Sequence, residues 1–242
     1  MSKHSFITER AIAHRGLHDG NRTVFENTLA SARRAIEAGY GIECDLQYAA
    51  DAVPVVFHDD DMERLCNFKG DVRSKTSSEL GLISVGGSSE KIPTFKALLE
   101  TVDGQVPLIV ELKGRAGDDD GFADSVLEVL EGYTGPLALM SFDHHLLKEL
   151  KELGAPYPVG LTAYGIEPDK IKAHETAMAF GLDFISFYLN HLPNAFIEGQ
   201  RAAGIPVITW TIRNQAEADH SYTHSDQITF ELFEPRTEKE AN

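Results

Sequence analysis

Two carboxylates stand two residues apart in a stretch that is otherwise typical of a buried strand. The stretch covers residues 41–47 (GIECDLQ) and carries Glu43 and Asp45. Successive side chains of a strand face opposite ways, so the two carboxylates share one face and Cys44 lies on the other. A strand covered on both faces is normally apolar throughout. Two buried like charges must share a proton or hold a cation, which makes this pair a candidate cation site.

Charged and titratable residues also end three other apolar runs of the chain. His14 and Arg15 follow the first run, and His58 follows the run before the acidic residues 59–61. Glu111 and Lys113 stand two apart at the end of a fourth run, again on one face. In a barrel of parallel strands the carboxyl ends of the strands meet at one mouth. We therefore expect these five side chains to meet Glu43 and Asp45 there.

An all-oxygen set of ligands results if Glu43, Asp45 and Glu111 meet at one mouth. Hard divalent cations prefer carboxylate oxygens, and the one nearby soft ligand, Cys44, faces away. The sequence therefore predicts one divalent cation, Mg²⁺ or Ca²⁺, as cofactor.

The remaining polar residues suit a substrate that carries a phosphate. Arg15 offers bidentate hydrogen bonds to phosphate and Lys113 offers a point charge. His14 and His58 lie on separate strands and suit a general acid and base pair. The chemistry indicated is metal-assisted cleavage of a phosphodiester. Trp210 is either a core residue or an apolar wall for the substrate, and the sequence leaves both open.

Several other polar residues have simpler interpretations. His18 is taken as a cap or as part of the rim, and His144 and His145 as the first residues of a helix. The acidic run 118–120 is interpreted as a solvated stretch that opens a helix rather than as a cation site.

Apolar runs alternate with helix-like segments along the whole chain, which predicts a parallel sheet. A single (β/α)₈ TIM barrel spanning residues 1–242 is favoured, and an open doubly wound sheet is the alternative. An irregular insertion is expected at about residues 60–91, and a charged tail from residue 234. The predicted barrel strands are 11–14, 41–47, 107–113, 136–142, 158–163, 184–188, 206–212 and 227–233, with an extra apolar run at 53–57.

The composition narrows the possible partners. The net charge is −16, which disfavours binding to nucleic acid and stable association with anionic membranes. The partner expected is a small phosphodiester, and the oligomeric state is left open. The two cysteines form no disulfide framework, and the first ten residues contain no signal-like apolar run. These features predict a cytoplasmic protein.

The order and spacing of these motifs resemble the glycerophosphodiester phosphodiesterases. The resemblance runs from residue 11 to about residue 213. Its motifs are the segments AHRG at 13–16, ENTL at 26–29, ECD at 43–45, VVFHD at 55–59 and ELK at 111–113, with WTI at 210–212 as the aromatic strand.

The resemblance implies a (β/α)₈ barrel that hydrolyses glycerophosphodiesters to glycerol 3-phosphate and an alcohol. It implies that Glu43, Asp45 and Glu111 bind the metal and that His14 and His58 are the acid and base. It further implies that Arg15 and Lys113 hold the phosphate. Glu26 and Asn27 would form a motif at the rim, with Asn27 as the N-cap of the helix that follows.

The chain departs from the family pattern at two places. Residues 49–52 (AADA) replace a Thr-x-Asp-Gly turn, and residues 229–231 with 234–235 only loosely match a Thr-Asp-x-Pro ending. Both departures concern the rim of the site. Two alternatives stay open. The first is a related phosphodiesterase, either of the phospholipase or sphingomyelinase D kind or one that acts on a cyclic or phosphoinositide substrate. The second is a barrel that binds a phosphate ester without turnover.

Overall fold

The computed structural model describes residues 5–115 and 117–236 of the chain. Within these residues, nine strands form one sheet. They are β1 (Ile12–Ala13), β2 (Gly41–Tyr48), β3 (Pro54–Val56), β4 (Leu108–Leu112), β5 (Leu137–Ser141), β6 (Val159–Ala163), β7 (Phe184–Tyr188), β8 (Val207–Ile212) and β9 (Gln227–Phe230).

Eight of these strands close into a parallel barrel. β1 pairs with both β2 and β9, β2 pairs with β4, and β4 to β9 pair in chain order. The predicted barrel is confirmed. The open-sheet alternative is wrong, because β1 joins what would otherwise be the two edges of the sheet.

Helices alternate with the barrel strands and cover the outside of the barrel. The longest helix of the described residues has 11 residues. No helix in this part of the chain is both long and apolar enough to cross a membrane. The helices are α1 (Phe6–Glu9), α2 (Leu29–Ala38), α3 (Glu63–Cys66), α4 (Ser77–Leu80), α5 (Phe95–Val102), α6 (Phe122–Val129), α7 (His144–Glu152), α8 (Pro168–Met178), α9 (Ala195–Ala202) and α10 (Gln215–His224).

The alternation of side chains along each strand separates two apolar cores. On β4, Val110 packs in the outer core with residues of the surrounding helices, whereas Ile109 packs in the inner core of the barrel. Ile7 of α1 belongs to the same inner core and is fully buried. Glu111 lies two residues after Ile109, so the strand geometry points its carboxylate into the barrel.

The N-cap of the helix after the first strand lies one residue later in the chain than predicted. Thr28, not Asn27, is the N-cap of α2: its hydroxyl accepts the Ser31 N–H, and the Ser31 hydroxyl accepts the Thr28 N–H. Asn27 has a left-handed backbone (φ 54°), whereas an N-cap residue needs an extended one. The Asn27 amide is also engaged elsewhere, because it donates to Asp45.

The extra apolar run before His58 forms β3, which runs antiparallel to β2 outside the barrel. The segment after it was expected to be irregular. Instead it contains α3, α4 and a 3₁₀ turn, and it has a small apolar core of its own. Met62, Val72 and Leu80 are fully buried in that core, and each such side chain contributes about 1.5–3 kcal/mol when buried. The insertion is therefore a packed cap. The predicted charged tail is described only to Arg236, and residues 237–242 lie outside the described residues.

The turn between β2 and β3 contains a strained residue. Its Ala52 N–H donates to the Ala49 carbonyl at 2.9 Å, and Ala52 adopts a left-handed backbone with φ 62°. An L residue pays about 1–2 kcal/mol for this conformation, which glycine adopts freely. Ala52, which stands where the Thr-x-Asp-Gly turn of the family has glycine, is thus accommodated at an energetic cost.

The substitution Ala52→Gly is expected to raise the free energy of unfolding by about 1 kcal/mol. Relief of the left-handed strain outweighs the greater freedom that glycine has in the unfolded chain. Ala50→Gly is the matched control, because Ala50 lies in the same turn without a positive φ, and this change is expected to destabilise. Urea unfolding measures both variants, and equal losses of stability in the two would contradict the prediction.

Candidate active site

A cluster of three buried carboxylates lies at the carboxyl end of the barrel strands. Glu43 and Asp45 come from β2, and Glu111 comes from β4, directly across from Asp45 in the register. One oxygen from each carboxylate lies within 4.8 Å of the other two. Cys44 faces the opposite way and packs in the outer core. The predicted division of β2 into a carboxylate face and a thiol face is therefore what the structure has.

The electrostatics of this cluster fit a cation. Burial, with repulsion from Asp45 and Glu111, raises the pKa of Glu43 well above its usual value. Burial also raises the pKa of Glu111, although Lys113 opposes the shift. For Asp45, burial acts in the same direction, but Lys113 and Arg15 outweigh it and keep the pKa low. Two of the three carboxylates are thus destabilised as anions, and a hard divalent cation would relieve that repulsion.

Two positive side chains border the carboxylates. The Lys113 ammonium lies 2.9 Å from Asp45 Oδ1 and also contacts Glu111 Oε1. The Arg15 guanidinium donates to Glu26 Oε1 at 2.7 Å. Its buried Nε lies 3.4 Å from Asp45 Oδ2 but makes no well-formed hydrogen bond. A buried donor without a partner is costly, and a bound anion would satisfy it.

The backbone at Arg15 also shapes the site. Arg15 has a left-handed backbone (φ 55°), and its N–H donates to Glu43 Oε2 at 2.9 Å. The next residue, Gly16, has φ 76°, and a Cβ there would lie 2.5–2.9 Å from atoms of Ser31. Only glycine fits this position, so the motif positions Arg15 through backbone geometry.

His14 lies beside the cluster and is held by a carboxylate from the last strand. Its Nδ1 is 2.7 Å from Glu231 Oε2, and its Nε2 is 3.9 Å from Glu43 Oε2. Burial lowers the pKa of His14, and the hydrogen bond with Glu231 only partly offsets this. The imidazole therefore favours its neutral form more than an exposed histidine does.

His58 faces the same cavity from the loop after β3 and has a carboxylate partner of its own. Its Nδ1 is 2.7 Å from Asp59 Oδ1. Arg64 of α3 holds Asp59 through Nε at 2.6 Å and Nη2 at 3.0 Å. The same guanidinium donates to both oxygens of Glu26. The insertion thereby fixes the carboxylate that orients His58.

The rim motif supports the carboxylates and the arginine. Burial would raise the pKa of Glu26, but hydrogen bonds from Arg64, Asn21 and Arg15 overcome it and lower the pKa to about 2. The Asn27 amide donates to Asp45 Oδ2 at 2.8 Å, and its oxygen accepts the Asp45 N–H at 3.3 Å. Asn27 therefore holds a carboxylate of the cluster instead of capping a helix.

All of the residues predicted for the site except the rim residues Glu26 and Asn27 line one cavity of about 210 Å³. Trp210 forms part of its wall: the indole N–H donates to the Ser186 carbonyl at 3.2 Å, and the ring contacts Phe142 and Tyr188. The two hydroxyls of Thr162 and Thr229 are buried without a hydrogen-bond partner. The predicted residues in the lining are His14, Arg15, Glu43, Asp45, His58, Glu111, Lys113 and Trp210.

The sequence interpretation assigned no role to the carboxylates that meet the histidines, Glu231 and Asp59, or to the arginines that hold them, Arg213 and Arg64. Glu231 stands just after β9, and comparing what every strand ends in could have identified it. Arg64 has no such signal, because it lies on a four-residue helix of the insertion. The acidic run 118–120 precedes α6 as predicted, and Asp118 and Asp120 are exposed. Asp119 departs from the prediction, since it is buried and paired with Arg73 at 2.6 Å.

Comparisons with known proteins agree with this architecture. The profile of the Glycerophosphoryl diester phosphodiesterase family matches residues 14–228. A glycerophosphodiester phosphodiesterase of Caldanaerobacter subterraneus is 27% identical over 220 residues, covering 86% of this chain and 87% of that protein. The match spans nearly the whole of both chains.

Two solved structures share the fold closely. A phosphodiesterase of Oleispira antarctica, in complex with the product sn-glycerol-3-phosphate, superposes with a TM-score of 0.82 at 25% identity over 92% of each chain. A glycerophosphodiester phosphodiesterase of Thermotoga maritima gives a TM-score of 0.74 at 26% identity, covering 92% of this chain and 94% of that one. The resemblance seen in the motifs is confirmed. The chain belongs to the glycerophosphoryl diester phosphodiesterase family and is a phosphoric diester hydrolase.

Proposed function

We propose that this enzyme hydrolyses glycerophosphodiesters to glycerol 3-phosphate and an alcohol with the help of one divalent cation. The observation that carries the proposal is the meeting of three buried carboxylates and two histidines on one cavity. The glycerol 3-phosphate bound to the Oleispira relative supports the choice of product. A cation held by Glu43, Asp45 and Glu111 would supply Lewis-acid polarisation of a phosphoryl oxygen.

Arg15 and Lys113 bind the phosphate in this proposal. Their positive groups already flank the carboxylate cluster, and both line the cavity. Lys113 then has two roles, because its ion pairs with Asp45 and Glu111 also offset part of the negative charge of the carboxylate cluster. The Arg15 Nε lies 3.4 Å from Asp45 Oδ2 without a well-formed hydrogen bond, so it can donate to a bound phosphate.

The two histidines move the protons. One takes the proton from the attacking hydroxyl, and the other gives a proton to the leaving alcohol. In each ring the Nδ1 is engaged with a carboxylate, Glu231 for His14 and Asp59 for His58. The Nε2 atoms are therefore the ones left for proton transfer. The attacking hydroxyl is either water or the neighbouring glycerol hydroxyl, and both need the same base.

Trp210 and Phe142 form the apolar side of the cavity. Their rings meet edge to face with centroids 5.4 Å apart. Phe142 also lies beside Lys113, whose ammonium is 5.8 Å from the ring centroid. The wall would contact the carbon skeleton of the substrate. Since it has no hydrogen-bonding groups directed at a particular alcohol, we expect tolerance of several leaving groups.

Purified enzyme incubated with glycerophosphocholine, glycerophosphoethanolamine and glycerophosphoglycerol is expected to release glycerol 3-phosphate from at least one of them. The reaction is run with Mg²⁺ or Ca²⁺, and the product is measured with glycerol 3-phosphate dehydrogenase. EDTA should stop release, and an excess of the metal should restore it. No product from any diester with either metal would favour the binding-barrel alternative, and cleavage confined to lipid vesicles would favour a lipid-directed phosphodiesterase.

A further inference from the structure

Glu231 has contacts that its place in the sequence does not suggest. It follows β9 at the rim of the barrel, and its side chain is only 12% exposed. Its backbone N–H donates to the Ile212 carbonyl at 2.9 Å, which continues the pairing of β9 with β8. Its Oε1 accepts the Arg213 Nε–H at 2.8 Å, and its Oε2 meets His14 Nδ1 at 2.7 Å. Both oxygens and the backbone are thus fixed.

This fixed carboxylate determines which nitrogen of His14 carries the proton. Burial would raise the pKa of Glu231, but contacts with His14, His18 and Arg213 keep it below its usual value. An ionised carboxylate only accepts hydrogen bonds, so His14 must donate from Nδ1. The neutral ring then carries its lone pair on Nε2, which is the nitrogen on the side of Glu43 and the cavity.

His58 is held in a parallel way. Its Nδ1 meets Asp59, and Asp59 is held by Arg64. Each histidine therefore has a carboxylate on Nδ1, and each carboxylate has an arginine. The same arrangement thus occurs on two separate segments of the chain, once at each histidine that lines the cavity.

We propose that Glu231 is a positioning residue that fixes the tautomer and orientation of His14. Glu231 does not line the cavity and acts only through the histidine. This inference rests on the proposed function, in which His14 transfers a proton through Nε2. Loss of the carboxylate partner of a metal-bound histidine typically lowers activity 10- to 100-fold, and we expect an effect of the same size here.

The test compares Glu231→Ala and Glu231→Gln with Glu217→Gln in the metal-loaded enzyme. Glu217 is the matched control, because its Oε2 accepts the Arg213 backbone N–H at 2.7 Å without contacting His14. We expect kcat to fall about 10- to 100-fold in both Glu231 variants, with KM changed by less than about threefold, because the single amide oxygen of glutamine cannot accept from both Arg213 and His14. The control should keep the kinetics of the unmodified enzyme.

Nitrogen-15 NMR of the histidine rings gives a second readout that a purely structural role would not move. We expect a proton on His14 Nδ1 in the unmodified protein and a mixture of tautomers in Glu231→Ala. An unchanged tautomer, or a kcat within about twofold of the Glu217→Gln control, would overturn the proposal. If the unmodified enzyme proves inactive on diesters, the proposed function fails, yet the NMR result still decides whether Glu231 sets the tautomer.

Discussion

Replacement of either His14 or His58 by alanine is expected to lower kcat by about 10²-fold or more while the protein remains folded. Each ring meets its carboxylate through Nδ1 and borders the cavity, so neither variant leaves the other histidine able to do both proton transfers. Both histidine side chains line the polar cavity and belong to none of the apolar cores, so truncation leaves the apolar packing intact. The alanine variants should therefore have a lower kcat but remain folded.

Steady-state kinetics on the best diester, together with circular dichroism, measure this effect. His220→Ala is a suitable control, because His220 lies on the exposed side of α10, away from the cavity. The double variant should be little worse than the more damaged single variant if the two rings act as a unit. Turnover near that of the unmodified enzyme in either single variant would contradict the assigned roles.

The second large effect is expected from Glu43→Gln, which should abolish metal binding and activity but stabilise the metal-free protein. In the absence of a cation, Glu43 is a buried carboxylate whose pKa is raised by burial and by repulsion from Asp45 and Glu111. Glutamine keeps the shape and removes the repulsion. The loss of one ligand removes Lewis-acid assistance worth several kcal/mol, which corresponds to about 10²-fold or more in rate.

Thermal unfolding with and without metal separates these two effects. The Tm of the unmodified protein should rise on addition of Mg²⁺ or Ca²⁺, because a ligand that binds only the folded state stabilises it. Glu43→Gln should start at a higher Tm and show no rise. Glu100→Gln, an exposed change on α5, serves as the control. A metal-dependent rise in Glu43→Gln equal to that of the unmodified protein would show that the ion binds elsewhere.

The sequence predicted the barrel and the meeting of its strand-end residues because both depend on local periodicity. Alternation along β2 was enough to separate Glu43 and Asp45 from Cys44. The meeting of β2 with β4 required only that consecutive parallel strands be neighbours, and Glu111 then faced Asp45. Neither inference needed the exact ends of any strand.

What the sequence did not predict depends on contacts between distant segments. Arg64 reaches Glu26 and Asp59 only because the insertion packs on an apolar core whose residues have no regular spacing. Glu231 meets His14 only when the barrel closes, across 217 positions of sequence. The cap at Thr28 instead of Asn27 was missed for a similar reason, because the Asn27 amide is committed to a strand that comes later in the chain.

A crystal structure of the enzyme with Ca²⁺ and glycerol 3-phosphate tests the proposed site most directly. We expect one ion with oxygens of Glu43, Asp45 and Glu111 at about 2.3–2.6 Å. The phosphate should contact Arg15 and Lys113, with His14 and His58 on opposite sides of the phosphorus. An ion bound away from these three carboxylates, or a phosphate that contacts neither histidine, would contradict the proposed mechanism.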